Sequence, residues 1–238
     1  TCAPAQTAAV SDSVQRFRTA LTAFIHESLD SLPAVPGVGV AVVGRGAAMY
    51  SCGIGLADVE AHRPLTPQSS VYIASNTKPF FGLLSAIMDQ RGTIELDAPI
   101  TRYFGAAAFP PAVRADSVTV RHLLTHTAGL SNDPIVFRTA YTGDHDPDAL
   151  RRLLPATSVR DGAPRGTFGY TNLGYVLTSM ILDDVAARSW QELLRAEVLQ
   201  PLAMNATSAR ASVIDTAAHP LATGYIASGR VSRARVGL

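Results

Sequence analysis

Ser75-Asn76-Thr77-Lys78-Pro79 begins an apolar stretch that runs to Gln90 and stops just before Gly92, a usual C-terminal cap residue. Proline is tolerated only in the first turn of a helix, so the sequence predicts a helix over 79–90 with Ser75 at or near its N-terminus. Residues three apart on a helix face the same way, with Cβ atoms about 5–6 Å apart. The Ser75 hydroxyl and the Lys78 amine are therefore predicted to lie within hydrogen-bonding reach.

Lys78 is the only lysine of the chain, because 19 of the 20 basic residues are arginine. Arginine keeps its proton above pH ~12, whereas burial or a nearby positive charge can neutralise a lysine amine, whose pKa starts near ~10.4. Here burial against the apolar helix and the positive end of its dipole both favour the neutral amine of Lys78. The free backbone N–H groups at the start of the helix can hold an oxyanion. The pattern favours a nucleophile with its base. The alternative is an N-capping serine and a surface lysine.

Tyr170-Thr171-Asn172 precedes a second helical pattern that begins near Leu173. In an extended segment residues i and i+2 point to one side, so the Tyr170 phenol and the Asn172 carboxamide are predicted to enter one pocket. A tyrosine can exchange protons with a nucleophile or a leaving group, and an asparagine can hold a substrate carbonyl and a lysine together. A packed tyrosine and a turn asparagine are the alternative.

Other polar clusters carry weaker signals. His122 and His126 have i,i+4 spacing, but no Glu follows His122 and no third ligand is evident, so we predict structural roles and no metal site. The stretch 131–133 resembles a Ser-Asp-Asn signature with two letters exchanged, and it favours a turn. The acidic stretch 144–148 is predicted to be a solvated loop at the rim of a pocket.

Composition limits the function classes. The chain has 238 residues, of which 47% are hydrophobic and 16% charged, with a net charge of +1. This is typical of a globular protein with no electrostatic preference for nucleic acid, and no apolar run approaches the ~18 residues that span a bilayer. Cys2 and Cys52 form one bridge or none. The small-residue N-terminal stretch is typical of an exported chain after signal removal, which predicts a periplasmic or secreted location.

Local patterns also predict the order of elements. A helix is expected over about 12–31 with Asp12 as N-cap, followed by a hairpin of strands 38–43 and 47–56 around the turn 44–46. Strand patterns are nearly absent between residues 80 and 210, where a helical region is expected. The segment 227–238 has no apolar periodicity and is predicted to be a loop. The shorter helices are expected over 120–127, 150–154, 173–187 and 190–199.

The motifs Ser75-x-x-Lys78 and Tyr170-x-Asn172 together resemble those of the serine β-lactamase and penicillin-binding-protein superfamily. The context is similar to the branch that holds class C β-lactamases, D-alanyl-D-alanine carboxypeptidases and related esterases. The resemblance covers about residues 35–225 in the order of the family. The segments that carry it are 72–80, 91–99, 122–130, 168–175 and 201–208.

The resemblance implies an α/β (α+β) fold, in which an antiparallel sheet is flanked by helices beside an all-helical region. The expected division is 1–78, 79–210 and 211–238, with the serine in the cleft between the α/β and helical parts. Ser75 would be the acylated nucleophile, Lys78 its base or hydrogen-bond partner, Tyr170 the proton shuttle and Asn172 the substrate-binding residue. No cofactor and no metal are implied. The expected substrates are ester, β-lactam or acyl-D-Ala-D-Ala carbonyls, and whether Lys78 or Tyr170 takes the first proton stays open.

One motif of the family is not found in the sequence. The superfamily has a third motif, a Lys or His followed by a small residue and Gly on a sheet strand, and neither 222–224 nor 126–128 fits it. We therefore expect further strands of the sheet from a missing C-terminal segment or a second chain. Losing an oxyanion donor of this strand typically costs about 10²–10³ in rate. The alternatives to a hydrolase are a slow penicillin-recognising binding or sensor protein, or a truncated fragment.

Overall fold

The computed structural model describes residues 2, 11–44, 47–210, 217–227 and 231–233. These residues form two compact units. The first holds the chain up to Ile73 together with residues 217–233, and the second begins at Ala74 and contains the chain to Arg210. The boundary lies a few residues before the expected division at 78/79. Ser75, Lys78, Tyr170 and Asn172 therefore all belong to the second unit.

The first unit is a helix on an antiparallel sheet. Helix α1 spans Asp12–Asp30, and strands β1 (Gly37–Gly44), β2 (Ala47–Asp58) and β3 (Arg63–Pro64) form a sheet in the order β1-β2-β3. The predicted helix and hairpin are confirmed, with Val40 paired to Cys52. The apolar face of α1 packs on β2, because α1 contributes apolar residues at helical spacing and β2 contributes alternating residues to one core. The buried members of this core are Ile25, Tyr50, Cys52 and Ile54.

Three details of the first unit differ from, or complete, the sequence predictions. The N-cap of α1 is Ser11 and not Asp12, because the Ser11 hydroxyl accepts from the Val14 N–H while Asp12 lies in the first turn, where the dipole favours its charge. Cys2 and Cys52 form a disulfide. The loop predicted over 227–238 is wrong at Val231–Arg233, which pairs with strand Tyr225–Ala227. Backbone pairing alone can form such a short ladder, whatever its apolar pattern. Residues 45, 46, 228–230 and 234–238 lie outside the described chain.

The second unit is mainly helical, as predicted. A 3₁₀ turn over Ala74–Asn76 leads into helix α2 (Thr77–Gln90), and two-residue strands at Leu130–Ser131 and Ser158–Val159 form a short antiparallel pair. Helices α5 (Asp133–Phe137) and α8 (Trp190–Leu194) continue as π-helical turns over Arg138–Thr142 and Arg195–Leu199. In the described parts of the chain, no helix combines the length and apolarity needed to cross a membrane. The helices are α2 Thr77–Gln90, α3 Thr101–Phe104, α4 Val120–Leu124, α5 Asp133–Phe137, α6 Pro147–Leu153, α7 Leu173–Ala186 and α8 Trp190–Leu194.

Helix α4 ends earlier than the sequence predicts. The pattern 120–127 predicted a helix to Thr127, but α4 stops at Leu124, and His126 has a φ of +60°. A left-handed residue cannot continue a right-handed helix, so the chain turns away there. Helix α7 packs closely on α4: a Cβ placed on Gly174 would lie 2.2 Å from the Leu123 carbonyl oxygen. This close approach fixes the start of α7, where Asn172 is the N-cap residue.

Candidate active site

Ser75 lies on the 3₁₀ turn that precedes α2, and it is exposed. Ala74, immediately before it, has a φ of +46°, which is uncommon for a residue with a Cβ. Such conformations persist only where the surrounding structure enforces them, and they concentrate at active sites and switch regions. The turn therefore presents the Ser75 hydroxyl at the start of α2, within one turn of Lys78.

Lys78 occupies the first turn of α2 and is partly buried. Its Nζ donates to Ser75 Oγ at 2.9 Å and to Asn172 Oδ1 at 2.9 Å. The ammonium group also lies 4.9 Å from the ring centroid of Tyr170 and 5.4 Å from that of Tyr175. An ammonium group has only donors, and ring faces attract it. The contacts of Lys78 therefore suit a positive charge.

Tyr170 approaches the same hydroxyl from a distant part of the chain. Its hydroxyl donates to Ser75 Oγ at 2.7 Å, and its backbone carbonyl accepts from the Arg160 guanidinium at 2.8 Å. Asn172 follows two residues later, at the beginning of α7, and its Oδ1 is the acceptor for Lys78. The structure thus brings together all four residues that the sequence singled out. Their catalytic roles stay proposals.

The charge of Lys78 acts on the Tyr170 phenol. The interaction with Lys78, and next the hydrogen bond to Ser75, lower the pKa of Tyr170 below its ordinary value, while desolvation acts in the other direction. The phenolate is therefore more accessible at Tyr170 than at an ordinary tyrosine. Tyr175 behaves in the opposite way, because burial raises its pKa and its hydroxyl donates to the Leu124 carbonyl at 3.1 Å.

His126 belongs to this cluster, although its sequence context predicted only a structural role. Its ring lies 4.6 Å from the Tyr170 ring and 5.3 Å from the Tyr175 ring, measured between centroids. Burial, and next the charge of Lys78, lower the pKa of His126 below its ordinary value. No sequence pattern reports this contact, because residues 126 and 170 are joined only through tertiary packing.

The remaining polar candidates serve local structure. His122 forms a capping box with Thr119 at the start of α4, which confirms its structural role. Asn132 caps α5 and is buried. The loop predicted over 144–148 is partly wrong, because Asp146 caps α6 and Pro147 and Asp148 lie in the first turn of that helix. Among the described residues no group of three or more His, Cys, Asp or Glu side chains is placed to hold a metal ion.

The fold and the site geometry agree with the comparison to known families. The sequence profile of the family described as Beta-lactamase matches residues 25–235. The chain belongs to the beta-lactamase family. Membership accounts for the antiparallel sheet with its helices and for the helical unit that carries Ser75 and Lys78.

Individual proteins are similar to this chain over most of its length. Protein flp of Staphylococcus aureus (strain N315) is 27% identical over 179 residues, which are 73% of this chain and 35% of that protein. The octameric penicillin-binding protein homologue from Pyrococcus abyssi is 28% identical with a TM-score of 0.72, covering 90% of this chain and 50% of its own. The D-amino acid amidase from Ochrobactrum anthropi SV3, complexed with D-phenylalanine, is 28% identical with a TM-score of 0.68, covering 87% and 57%.

The chain spans about a third of the curated relatives and half to three fifths of the solved ones. The family model over residues 25–235 therefore establishes the family, while the activity of the whole protein is a matter of proposal.

Proposed function

We propose that this chain carries the acylating serine of a serine hydrolase that cleaves ester, β-lactam or acyl-D-Ala-D-Ala carbonyls through a Ser75 acyl-enzyme. The observation that supports it most is the convergence on one hydroxyl: Ser75 Oγ accepts from Lys78 Nζ at 2.9 Å and from the Tyr170 hydroxyl at 2.7 Å. A nucleophile with its proton acceptor in reach is the requirement for covalent acyl transfer.

We propose Tyr170, in its phenolate form, as the first proton acceptor. The phenolate takes the Ser75 proton as Oγ forms its bond to the substrate carbonyl carbon, and the tetrahedral intermediate then breaks the bond to the leaving group. Tyr170 returns the proton to that group, and a water molecule later hydrolyses the acyl ester by the same route. Lys78 lowers the pKa of Tyr170 and so favours the phenolate that this mechanism requires.

Asn172 has a separate task in this scheme. Its Oδ1 is held by Lys78 at 2.9 Å, which orients the carboxamide and directs its N–H groups to donate to a substrate carbonyl. The backbone N–H groups at the start of α2 are the proposed oxyanion donors. The name of the D-amino acid amidase supports an amide carbonyl as a substrate, and the name of the penicillin-binding protein homologue supports recognition of a β-lactam.

Mass spectrometry of the intact protein tests the proposal. The protein is incubated separately with a penicillin and with a short-chain nitrophenyl ester, and both the protein mass and the product are followed. Release of product from either substrate, abolished in Ser75→Ala, supports the hydrolase. A chain that is folded but neither gains mass nor releases product contradicts it.

A second candidate is a slow penicillin-recognising binding or sensor protein. This candidate is favoured because neither 222–224 nor 126–128 fits the third motif of the family. In the stretch 222–224, the Thr223 hydroxyl donates to Asp58 at 2.7 Å. We propose that the strands carrying this motif come from a further segment or a second chain. A persistent penicillin adduct without product would support the binding protein over the hydrolase.

We also propose a periplasmic or secreted location. The Cys2–Cys52 disulfide supports it, because structural disulfides persist in oxidising compartments and are rare in the cytosol of mesophiles. Cell fractionation with an antibody to the chain tests this location. Recovery of the protein in the cytosol with both thiols reduced would contradict it.

A further inference from the structure

His126 holds the two residues on either side of Tyr170. The Gly169 N–H donates to the His126 carbonyl oxygen at 2.8 Å, and the Thr171 N–H donates to the His126 ring nitrogen Nδ1 at 3.4 Å. One residue thus accepts from both neighbours of the proposed proton acceptor. The two bonds restrict the backbone of Tyr170 without using any atom of its phenol.

The imidazole ring also supports the Tyr170 side chain. The two rings are tilted by 39° with centroids 4.6 Å apart, and the Phe168 ring contacts the imidazole edge-on at 5.8 Å. Tyr170 itself is 48% exposed, so few other contacts limit the direction of its hydroxyl. The His126 ring is therefore a main support of the phenol that donates to Ser75.

The backbone of His126 is adapted to this double contact. Its φ of +60° lies in the left-handed region, which is uncommon for a residue other than glycine. In this conformation the carbonyl and the ring of one residue both reach the segment 169–171. A strained conformation of this kind is retained where the surrounding structure enforces it, and its position beside Tyr170 is where a mechanism needs it.

The hydrogen bond from Thr171 requires a neutral imidazole. Nδ1 accepts only when it carries no proton, so the ring proton is on Nε2. The titratable groups that face the ring are Lys78 from α2, Tyr170 from the segment before α7, and Tyr175 from α7. Protonation would place an N–H against the Thr171 N–H and add a second cation beside Lys78. Desolvation and next the charge of Lys78 oppose it and lower the pKa of His126, and together they outweigh the contact with the Thr171 backbone, which acts in the opposite direction.

We propose that His126 is a positioning residue that holds the Tyr170 phenol against Ser75 Oγ, and that it does so only as the neutral imidazole. The inference rests on the function proposed for Ser75 and Tyr170, and it adds a residue that touches neither the substrate nor the reacting hydroxyl. It also predicts a loss of activity at acidic pH that does not require Tyr170 itself to change.

Two variants separate the contributions of the ring and of the acceptor. His126→Phe keeps an aromatic ring beside Tyr170 but removes the acceptor and the titration. His126→Asn keeps an acceptor and tolerates left-handed backbone, but removes the ring, and it serves if the Phe variant does not fold. His122→Gln is the matched control, because His122 lies on the neighbouring α4 and its capping box accepts Gln.

The first readout needs no substrate. NMR of the protein with ¹³C-labelled tyrosine follows the ionisation of Tyr170, assigned by the resonance that Tyr170→Phe removes. We expect the pKa of Tyr170 to rise towards its ordinary value in His126→Phe and to stay unchanged in His122→Gln. In the unmodified protein, ¹⁵N imidazole shifts should show Nδ1 without a proton at neutral pH. A protonated Nδ1, or the same Tyr170 titration in the His126 variants, overturns the inference.

The second readout is the rate of Ser75 acylation as a function of pH. In His126→Phe we expect a rate constant about tenfold to a hundredfold lower with little change in KM, as for a misplaced catalytic group. The loss of rate as pH falls through the pKa of His126, which lies below the ordinary histidine value, should disappear with the imidazole. If the unmodified protein is never acylated, the proposed function fails while the NMR result still decides the inference. If acylation occurs and its rate and pH profile are unchanged in the variant, only the inference fails.

Discussion

At the scale of single residues, the account depends on Tyr170 as the proton acceptor. Tyr170→Phe removes the hydroxyl that lies 2.7 Å from Ser75 Oγ but keeps the ring and its contact with His126. We expect acylation to slow by about 10²–10⁴, the usual contribution of general base catalysis. Thermal stability should hardly change, since the phenol is about half exposed. A variant that keeps more than half of the wild-type acylation rate would contradict the role.

Lys78→Arg separates the two candidates for the first base. If Lys78 is the base, arginine is as damaging as alanine, because it cannot release its proton. In the mechanism proposed here Lys78 acts through its charge, so arginine should retain about tenfold more acylation activity than alanine, a partial loss that reflects its different geometry. Acylation rates of Lys78→Arg and Lys78→Ala are compared directly. Equal rates in the two variants would assign the base to Lys78.

The pH dependence of acylation follows from the interaction between Lys78 and Tyr170. Because Lys78 lowers the pKa of Tyr170, the phenolate forms below the ordinary tyrosine range, and acylation should rise with pH through the folded-state pKa. The lowered pKa of Tyr170 also stabilises the folded state. This stabilisation is present above the pKa of Tyr170 in the unfolded chain and is lost as pH falls through its pKa in the folded protein. Lys78→Ala removes the largest cause of the shift, so the rising limb should move to higher pH. A limb that stays in place would contradict the coupling.

At the scale of elements, Gly174 sets how α7 meets α4. An alanine Cβ would lie 2.2 Å from the Leu123 carbonyl oxygen, which is backbone that cannot rotate away. We expect Gly174→Ala to lower the free energy of unfolding by about 1–3 kcal/mol, the usual range for overpacking. Because Asn172 lies at the start of α7, acylation should also fall. Urea unfolding and acylation assays measure both effects.

Gly82 on α2 provides the control for this substitution. A Cβ there has no heavy atom within 4 Å, and the residue lies inside a helix, where alanine is favoured over glycine by about 0.5–1 kcal/mol. Gly82→Ala should therefore leave stability unchanged or raise it. Equal destabilisation by the two substitutions would show that the contact between α7 and α4 is not the cause.

Local patterns predicted most elements of the chain. Apolar residues at helical spacing identified α1, α2 and α7, and short β-branched runs around a glycine-rich turn identified the β1–β2 hairpin. The end of α4 was missed because it depends on His126, whose left-handed backbone is stabilised by bonds from Gly169 and Thr171. Those partners are remote in sequence, so no local window contains the information.

The candidate site shows the same limit. Spacing of three and of two residues correctly suggested that Ser75 and Lys78, and likewise Tyr170 and Asn172, lie close together. The contact between Tyr170 and Ser75 brings together residues that are 95 positions apart in the sequence. Only the family resemblance predicted this contact. The ring of His126 beneath Tyr170 was not anticipated at all, because its signal is a tertiary contact and not a motif.

At the scale of the whole molecule, the Cys2–Cys52 disulfide ties the N-terminal end of the chain to β2 across 50 residues. Cross-linking restricts the unfolded chain, and loss of such a bridge typically costs about 2–5 kcal/mol. Cys52→Ala should therefore lower the melting temperature, and a reductant should lower that of the unmodified protein but not that of the variant. Identical melting curves for all four samples would show that the bridge does not stabilise the fold.

The central claim is that Ser75 is the acylated residue of this beta-lactamase family member. The most direct measurement is peptide mapping by tandem mass spectrometry after brief incubation with a penicillin and quenching in acid. The account predicts one acyl group on the peptide that contains Ser75, and none on Tyr170→Phe at the same early time. An acyl group on another residue, or no acyl group on a folded protein, would contradict it.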